Sequence, residues 1–532
     1  MMVRRINRGR LKLADHSLEA YTTGHRSGTL LFIVLITVVM LALSAYTFTA
    51  LMQTEQEAAM LKTRQIQARL LNDSAVDYLR LVLSYDDASI QERGGIWDNA
   101  ELFQAIPVEI DVDNALIVGR FATVSPSMDI DDGTPEGTRF GLYDEASKIN
   151  LNVLPFTDVY IEGGARQLLM ALPNMNEEIA DAIVDFIDSD DEEREFGVES
   201  NYYSSLTPGY EAKNGPLDSL DQLLLIKDIT PQMLFGMDTN RNGILDEDEM
   251  AGTTALESDM QLGWANYLTL YSKESNVKPT GFPRVNINAE NLEQLYEDLR
   301  STFDETWSQF IIMYRINGPY TPEEDEEIPS NNEFLGELDF ELLGDAQFTF
   351  TNVLDLVGAL TTGTNEEGDS FVLSSPVVGP LPILSMMQNI TTYDGEAIPG
   401  RINIMQAPRR ILEGIPGFDT EIVDELIARR EFELDDPDAT DLQRQFETWI
   451  WLEGIVDLET MRTLMPFICC GGDVYKAEIV GYFDDDSVTA RTEVILDTTV
   501  PIPRILNQRN KSHLPAAYSI DILGRELVDE TR

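Results

Sequence analysis

From Thr29 to Thr54 the chain is almost wholly apolar and carries no charge, and this is the longest such run in it. At about 1.5 Å per helical residue, Thr29 to Phe48 spans the ~30 Å hydrocarbon core of a bilayer. A secretory apolar region is shorter. The preceding segment holds Arg4, Arg5, Arg8, Arg10, Lys12 and Arg26 against Asp15 and Glu19. Cationic flanks stay cytoplasmic, so the pattern predicts a single span with the N-terminus inside and the bulk outside. Met52 to Ser84 has no Gly or Pro, and apolar residues recur at Leu61, Ile66, Leu70, Leu71, Val76, Leu79 and Leu83. One continuous helix follows, with an apolar face beyond the span.

From Gly94 to Gly141 the pattern shortens to segments such as Val108–Val112 and Leu116–Val118, broken by turn formers. Tyr475–Phe483 and Ala490–Leu496 flank Asp484, Asp485, Asp486 and Ser487 as a hairpin. The two strand-rich regions are candidates for one sheet. Between them a phrase recurs: Lys148-Ile149-Asn150-Leu151-Asn152, Arg284-Val285-Asn286-Ile287-Asn288 and Arg401-Ile402-Asn403-Ile404-Met405, each leading into helical spacing. After the first and third copies, Leu172-Pro173-Asn174 and Ile415-Pro416-Gly417 separate short apolar helices, a helix-hairpin-helix pattern.

Charge narrows the partners. Against 38 Lys and Arg stand 93 Asp and Glu, a net charge of -55, with 43% hydrophobic residues. This describes folded acidic domains rather than a disordered tail. Helix-hairpin-helix units are known for holding DNA phosphates, but Glu177, Glu178 and Asp181 follow the first hairpin and Asp419, Glu421, Asp424 and Glu425 the third. Phosphates would meet carboxylates, so no nucleic acid partner is expected and the hairpins read as packing units. The three histidines, His16, His25 and His513, lie far from the acidic clusters, and no motif for a catalytic nucleophile, zinc or phosphate loop occurs, so no enzyme is expected and no catalytic residue is assigned. Cys469 and Cys470 are adjacent and cannot join distant segments; they are structural thiols or a vicinal bridge.

Calcium suits such a chain. Asp238 to Glu249 match an EF-hand-type loop: Asp238, Asn240 and Asn242 at positions one, three and five, Gly243 at six, the Ile244 carbonyl at seven, Asp246 at nine and Glu249 at twelve. The short flanks point to a structural ion. A second acidic cluster, Asp188, Asp190, Asp191, Glu192 and Glu193 with Glu199 and Asn214 downstream, is either another site or a solvated helix end.

Taken in order, the basic leader, the anchor, Lys148–Asn152, Ile183–Glu192, Tyr202-Tyr203 and Asn214–Leu223 resemble the minor pseudopilin K of type II secretion systems, also called general secretion pathway protein K. Arg401–Ile404, Ala407-Pro408 and Ile415–Gly417 resemble that family's second helical repeat. The resemblance implies an α+β, pilin-like fold: a long N-terminal transmembrane helix on a small antiparallel sheet, with a large inserted helical domain of helix-hairpin-helix (SAM-like) repeats. It implies a non-enzymatic tip and initiation component of the periplasmic pseudopilus. The implied partners are other minor pseudopilins, the inner-membrane secretion platform and prepilin peptidase, with the membrane met through residues 29–48. It also implies calcium in the helical domain, making Asp188, Asp190 and Asp191 second-site candidates. Ile33 stands at mature position five, where most pilins carry Glu and this family an apolar residue. The chain departs from the family in its length and its extra middle copy of the phrase.

Prepilin-type signals are cut ahead of the apolar run, here between Gly28 and Thr29; the other reading of Gly28 is the end of a tail before an uncut anchor. The expected organisation is a leader at 1–28, the anchor helix at 29–84, a pilin-like strand region at 85–147, a first repeat with the calcium loop at 148–275, a second at 276–400, a third at 401–468, and closing strands at 469–532. A minor pilin of a type IV or DNA-uptake pilus and a membrane-anchored calcium-dependent binding module are the rival functions.

Overall fold

A computed structural model describes residues 27–109, 118–128, 135–250, 262–322, 338–340, 343–364, 370–430, 443–484 and 488–524. Most of the leader, parts of the expected strands near 110–117 and the hairpin turn 485–487 lie outside these residues. By packing the chain forms two units, Met1–Arg64 and Gln65–Arg532. One helix, α1 (Ser27–Val82), runs through both. In the first unit its apolar side chains, among them Leu31, Leu35, Val39 and Leu43, are exposed over a window of mean hydropathy 2.5. A helix of this length and composition is a candidate single-pass membrane anchor.

In the second unit the end of α1 carries its apolar face onto a sheet. The sheet starts with β1 (Ile106–Glu109), β2 (Val118–Met128), β3 (Pro135–Phe140) and β4 (Tyr143–Asp144). Ala75, Val76, Leu79 and Val82 of α1 pack with Phe121, Ala477, Ile479, Val494 and Leu496, while Ala68 and Leu71 meet Phe483 and Ala490. The region read as purely strand-forming also holds a short helix, Ala100–Phe103. It is started by Asn99, whose side chain accepts from the Leu102 amide, and is held by the fully buried Phe103. A single Asn cap and one apolar anchor overrule the turn-rich local pattern.

The three repeated phrases fold alike. Each forms a two-residue strand that pairs in parallel with another two-residue strand at the far end of its own copy. β5 (Ile149–Asn150) pairs with β6 (Leu268–Thr269). After β7 (Lys273–Ser275), β8 (Val285–Asn286) and the hairpin β9 (Leu360–Thr364) and β10 (Ser370–Ser374), β8 pairs with β11 (Ile390–Thr391). Past β12 (Ala397–Pro399), β13 (Ile402–Asn403) pairs with β14 (Ile468–Cys469). In every copy the Asn side chain accepts from the amide two residues on: Asn150 from Asn152 at 3.0 Å, Asn286 from Asn288 at 2.9 Å and Asn403 from Met405 at 2.9 Å. This Asx turn bends the strand into the helices that follow.

The first copy holds α2 (Gly164–Met170) and α3 (Glu177–Ile187), the second α4 (Leu292–Thr302) and α5 (Glu305–Asn317), and the third α6 (Arg409–Gly414) and α7 (Thr420–Arg430). Asn174 and Gly417 turn α2 into α3 and α6 into α7 through φ of +54° and +95°. All three copies share one continuous apolar core.

The sheet is completed by β15 (Val474–Phe483), β16 (Ala490–Asp497) and β17 (Arg504–Asn510). Its order is β1-β2-β15-β16-β17, with β3 beside β2 and β4 beside β15, antiparallel throughout. The early and late strand regions thus meet at β2 and β15. The face away from α1 carries a buried ion network, in which Lys476 meets Glu493 at 3.1 Å, Lys511 meets Glu493 at 2.8 Å and Glu478 at 3.0 Å, and Arg491 pairs with Glu478.

Candidate metal centre

The C-terminal end of α3 gathers carboxylates in a buried setting. Asn176 caps the helix by accepting from the Ile179 amide at 2.9 Å, and Ile179, Ile183, Val184 and Phe186 bury its apolar side. That burial carries Asp181 and Asp185 inward. Asp181 is answered by Arg166, at 2.7 and 2.6 Å, and by the Phe196 amide at 3.2 Å. Asp185 is less well served: Oδ2 accepts from the Arg194 amide at 3.2 Å, while Oδ1 lies 3.4 Å from Arg194 Nε without forming a hydrogen bond.

Asp188 and Asp190 follow on the loop, and Glu199 closes the group at the start of the next short helix. One carboxylate oxygen from each of Asp188, Asp190 and Glu199 lies within 4.8 Å of the others. Among the described residues, four buried oxygens here accept no hydrogen bond: Asp185 Oδ1, Asp188 Oδ1, Glu199 Oε1 and Asn214 Oδ1. Glu199 is only 1% exposed. Its burial, then repulsion from Asp185 and Asp188, push it up to about 7. Burial also pushes Asp185 up to about 7 and Asp188 up to about 6, with the neighbouring carboxylates adding to both. Groups held this way favour a proton or a cation in their midst. Hard oxygens alone, including one amide oxygen, suit calcium over softer metals.

The EF-hand-type loop is a second candidate. Asp238, Asn240 and Asn242 are buried, and Gly243 turns at φ +81°. Asp238 Oδ1 accepts from the Asn242 amide at 3.1 Å and Oδ2 from the Gly243 amide at 2.8 Å. Glu249 reaches back from the loop's end, accepting from the Thr239 and Asn240 amides at 2.8 and 3.1 Å and the Asp246 amide at 3.3 Å. Asp246 accepts from Asn240 Nδ2 at 2.6 Å. Burial pushes Asp238 up to about 6. The loop rests on the sheet's ion network, since Arg491 donates to the Asn240 carbonyl at 3.0 Å and Lys511 to the Arg241 carbonyl at 2.8 Å. Positions one, three, five, nine and twelve are thus tied by hydrogen bonds within one loop, and Ile244 donates its amide to Asn242 Oδ1 at 2.8 Å. Asp238, Asp246 and Glu249 do not, however, bring their carboxylate oxygens within 4.8 Å of one another as Asp188, Asp190 and Glu199 do.

Of the second-site candidates, Asp188 and Asp190 come together, and Asp191 turns aside to accept from Asn214 at 2.9 Å. Asp185 was not singled out by sequence. Its position on the buried face of an otherwise apolar helix, one turn after Asp181, was the available signal.

Residues 147–237 match the family described as Type II secretion system (T2SS), protein K. Over these residues the chain is similar to protein K of type II secretion systems. The matched region opens at the first repeated phrase and ends one residue before Asp238, so it contains the whole carboxylate cluster at Asp185–Asn214 and leaves the EF-hand-type loop outside. No curated protein matches the chain. Among solved structures, a chain of the GspK-GspI-GspJ complex from enterotoxigenic Escherichia coli Type 2 Secretion System aligns at 11% identity over 86% of this chain and 98% of that one, with a TM-score of 0.35.

Proposed function

We propose that this GspK-like protein is a non-enzymatic tip component of a periplasmic pseudopilus, held in the inner membrane by the helix from Thr29 with its N-terminus cytoplasmic, and released from its leader between Gly28 and Thr29. The observation that carries the reading is the protein K match at 147–237. It is supported by the uninterrupted course of α1 from an exposed apolar span into residues that pack on the sheet. The partners are other minor pseudopilins, by analogy with the complex of GspK with GspI and GspJ. The α2–α3 and α6–α7 pairs act as helix-hairpin-helix packing units, and the acidic residues on α7 fit them poorly to phosphate.

Two calcium ions stabilise the helical region in this reading. One is held by Asp185, Asp188, Glu199 and Asn214, each with a buried oxygen lacking a hydrogen bond, together with Asp190. The other is held by Asp238, Asn240, Asn242, Asp246 and Glu249, with the Ile244 carbonyl as a further ligand. The ions are structural: each ties a loop to buried helices or to the sheet.

The experiment is removal of the chain from its host. Type II substrates should then accumulate in the periplasm, and the full-length chain supplied in trans should restore export. Normal export without it would overturn the reading.

A further inference from the structure

The middle copy of the repeated phrase is built into the molecule differently from the other two. β7, leaving the first copy, pairs antiparallel with β12, entering the third, and Ser275 lies directly opposite Ala397. The chain between them, residues 276–396, therefore enters and leaves through one two-stranded neck. Asn276 closes the neck from inside, donating its amide to the Glu396 carbonyl at 3.0 Å and its side chain to the Gly395 carbonyl at 2.8 Å. Below it the neck is tied to the sheet, where Lys273 meets Asp497 at 2.6 Å and the Ser275 amide meets Asp473 at 2.6 Å.

Above the neck the copy's elements pair and pack chiefly with one another, while its apolar residues continue the core shared with the other copies. β8 pairs with β11, α4 packs on α5, α5 on the β9–β10 hairpin, and Asn288 holds Phe350 through both its donor and its acceptor at 2.9 Å. Beyond the neck, the hydrogen bonds between its described residues and the rest include those of Arg462, which donates to the Leu354 and Val357 carbonyls and whose carbonyl accepts from Asn352 at 3.1 Å. The first and third copies meet more intimately. A Cβ on Gly414 of α6 would lie 2.6 Å from the Ala171 Cβ, just past α2, so the two backbones approach as only glycine permits.

We infer that residues 276–396 form an inserted accessory module, and that export rests on the anchor, the sheet and the first and third copies alone. This rests on the secretion reading above. The neck is also the place where a two-residue turn can replace the module, because Asn276 and Glu396 face each other as a hydrogen-bonded antiparallel pair, the kind that Asn-Gly closes.

Two variants of the full chain test it in a host lacking the native copy. The first replaces 277–395 by Asn-Gly, keeping Asn276 and Glu396 as the closing pair. The second is Leu299→Asp, which puts a charge at a fully buried position between α4 and the rest of the module. Both should restore export as the unaltered chain does. Limited proteolysis of Leu299→Asp should yield new cuts confined to 276–396. Leu426→Asp, at an equally buried position on α7, should lose export. Loss of export by the Asn-Gly variant, or proteolysis of Leu299→Asp spreading to the first and third copies, would overturn the inference. If the unaltered chain itself restores nothing, the secretion reading fails instead.

Discussion

Glu199 and Asp185 each bring a carboxylate into the core with one oxygen lacking a hydrogen bond, a costly arrangement that a cation resolves. Glu199→Gln and Asp188→Asn should each weaken calcium binding at least about tenfold, since loss of even an outer-shell partner weakens metal sites that much; isothermal titration on the detergent-solubilised chain reads it. Asp238→Ala with Glu249→Ala should remove one binding event and leave the other, whereas two unchanged events would reject the loop as a site. The pH dependence has a defined sign. Asp185 and Glu199 near 7 hold protons in the native state that they release when unfolded above the ordinary carboxylate range. Without calcium, their contribution to stability is greatest at the acid end and falls as pH rises from about 4 to about 7. Calcium displaces those protons, so the melting temperature gained on adding it should be larger at pH 8 than at pH 5. An equal gain at both would contradict the cluster as a site. The EF-hand-type loop stands out in sequence because its candidate oxygens are contiguous. In sequence Glu199 and Asn214 stand only as neighbours of an acidic run, because α3 and the loops after it, rather than spacing, bring them together.

At the scale of elements, the contact between α1 and the sheet turns on a glycine. A Cβ on Gly481 of β15 would come within 2.4 Å of the Ala68 carbonyl and 2.5 Å of Asn72 Oδ1, so the helix rests against bare backbone. Asn72 fixes this register by donating to Thr492 at 2.9 Å. Gly481→Val should force helix and strand apart and lower stability by about 1–3 kcal/mol, the usual cost of overpacking, read by thermal denaturation. An unchanged melting temperature would remove Gly481 from the account. The helical spacing of Val76, Leu79 and Leu83 announced this face, and the strands of the late hairpin were plain from their apolar runs. The partner strands β6, β11 and β14 were not. Two residues carry no period, and their pairing with β5, β8 and β13 is set by the helices folded between them. The repeated Asn was visible in sequence, but its common task, turning each strand into the helices, needed backbone geometry.

Across the whole molecule, order along the chain was more informative than any single motif: a basic leader, an unbroken apolar helix, strands, helical repeats and strands again. Sequence separates the sheet's two halves by the entire helical region, yet the matching strand-rich composition at both ends already suggested their union, and β2 beside β15 realises it. What the chain does in its membrane is tested most directly at its N-terminus, by sequencing the protein recovered from native membranes with and without the host's prepilin peptidase. The account predicts a mature chain beginning at Thr29 only where the peptidase is present. An intact leader in both strains would contradict it and leave the molecule an anchored protein with a pseudopilin-like fold that never enters a pseudopilus.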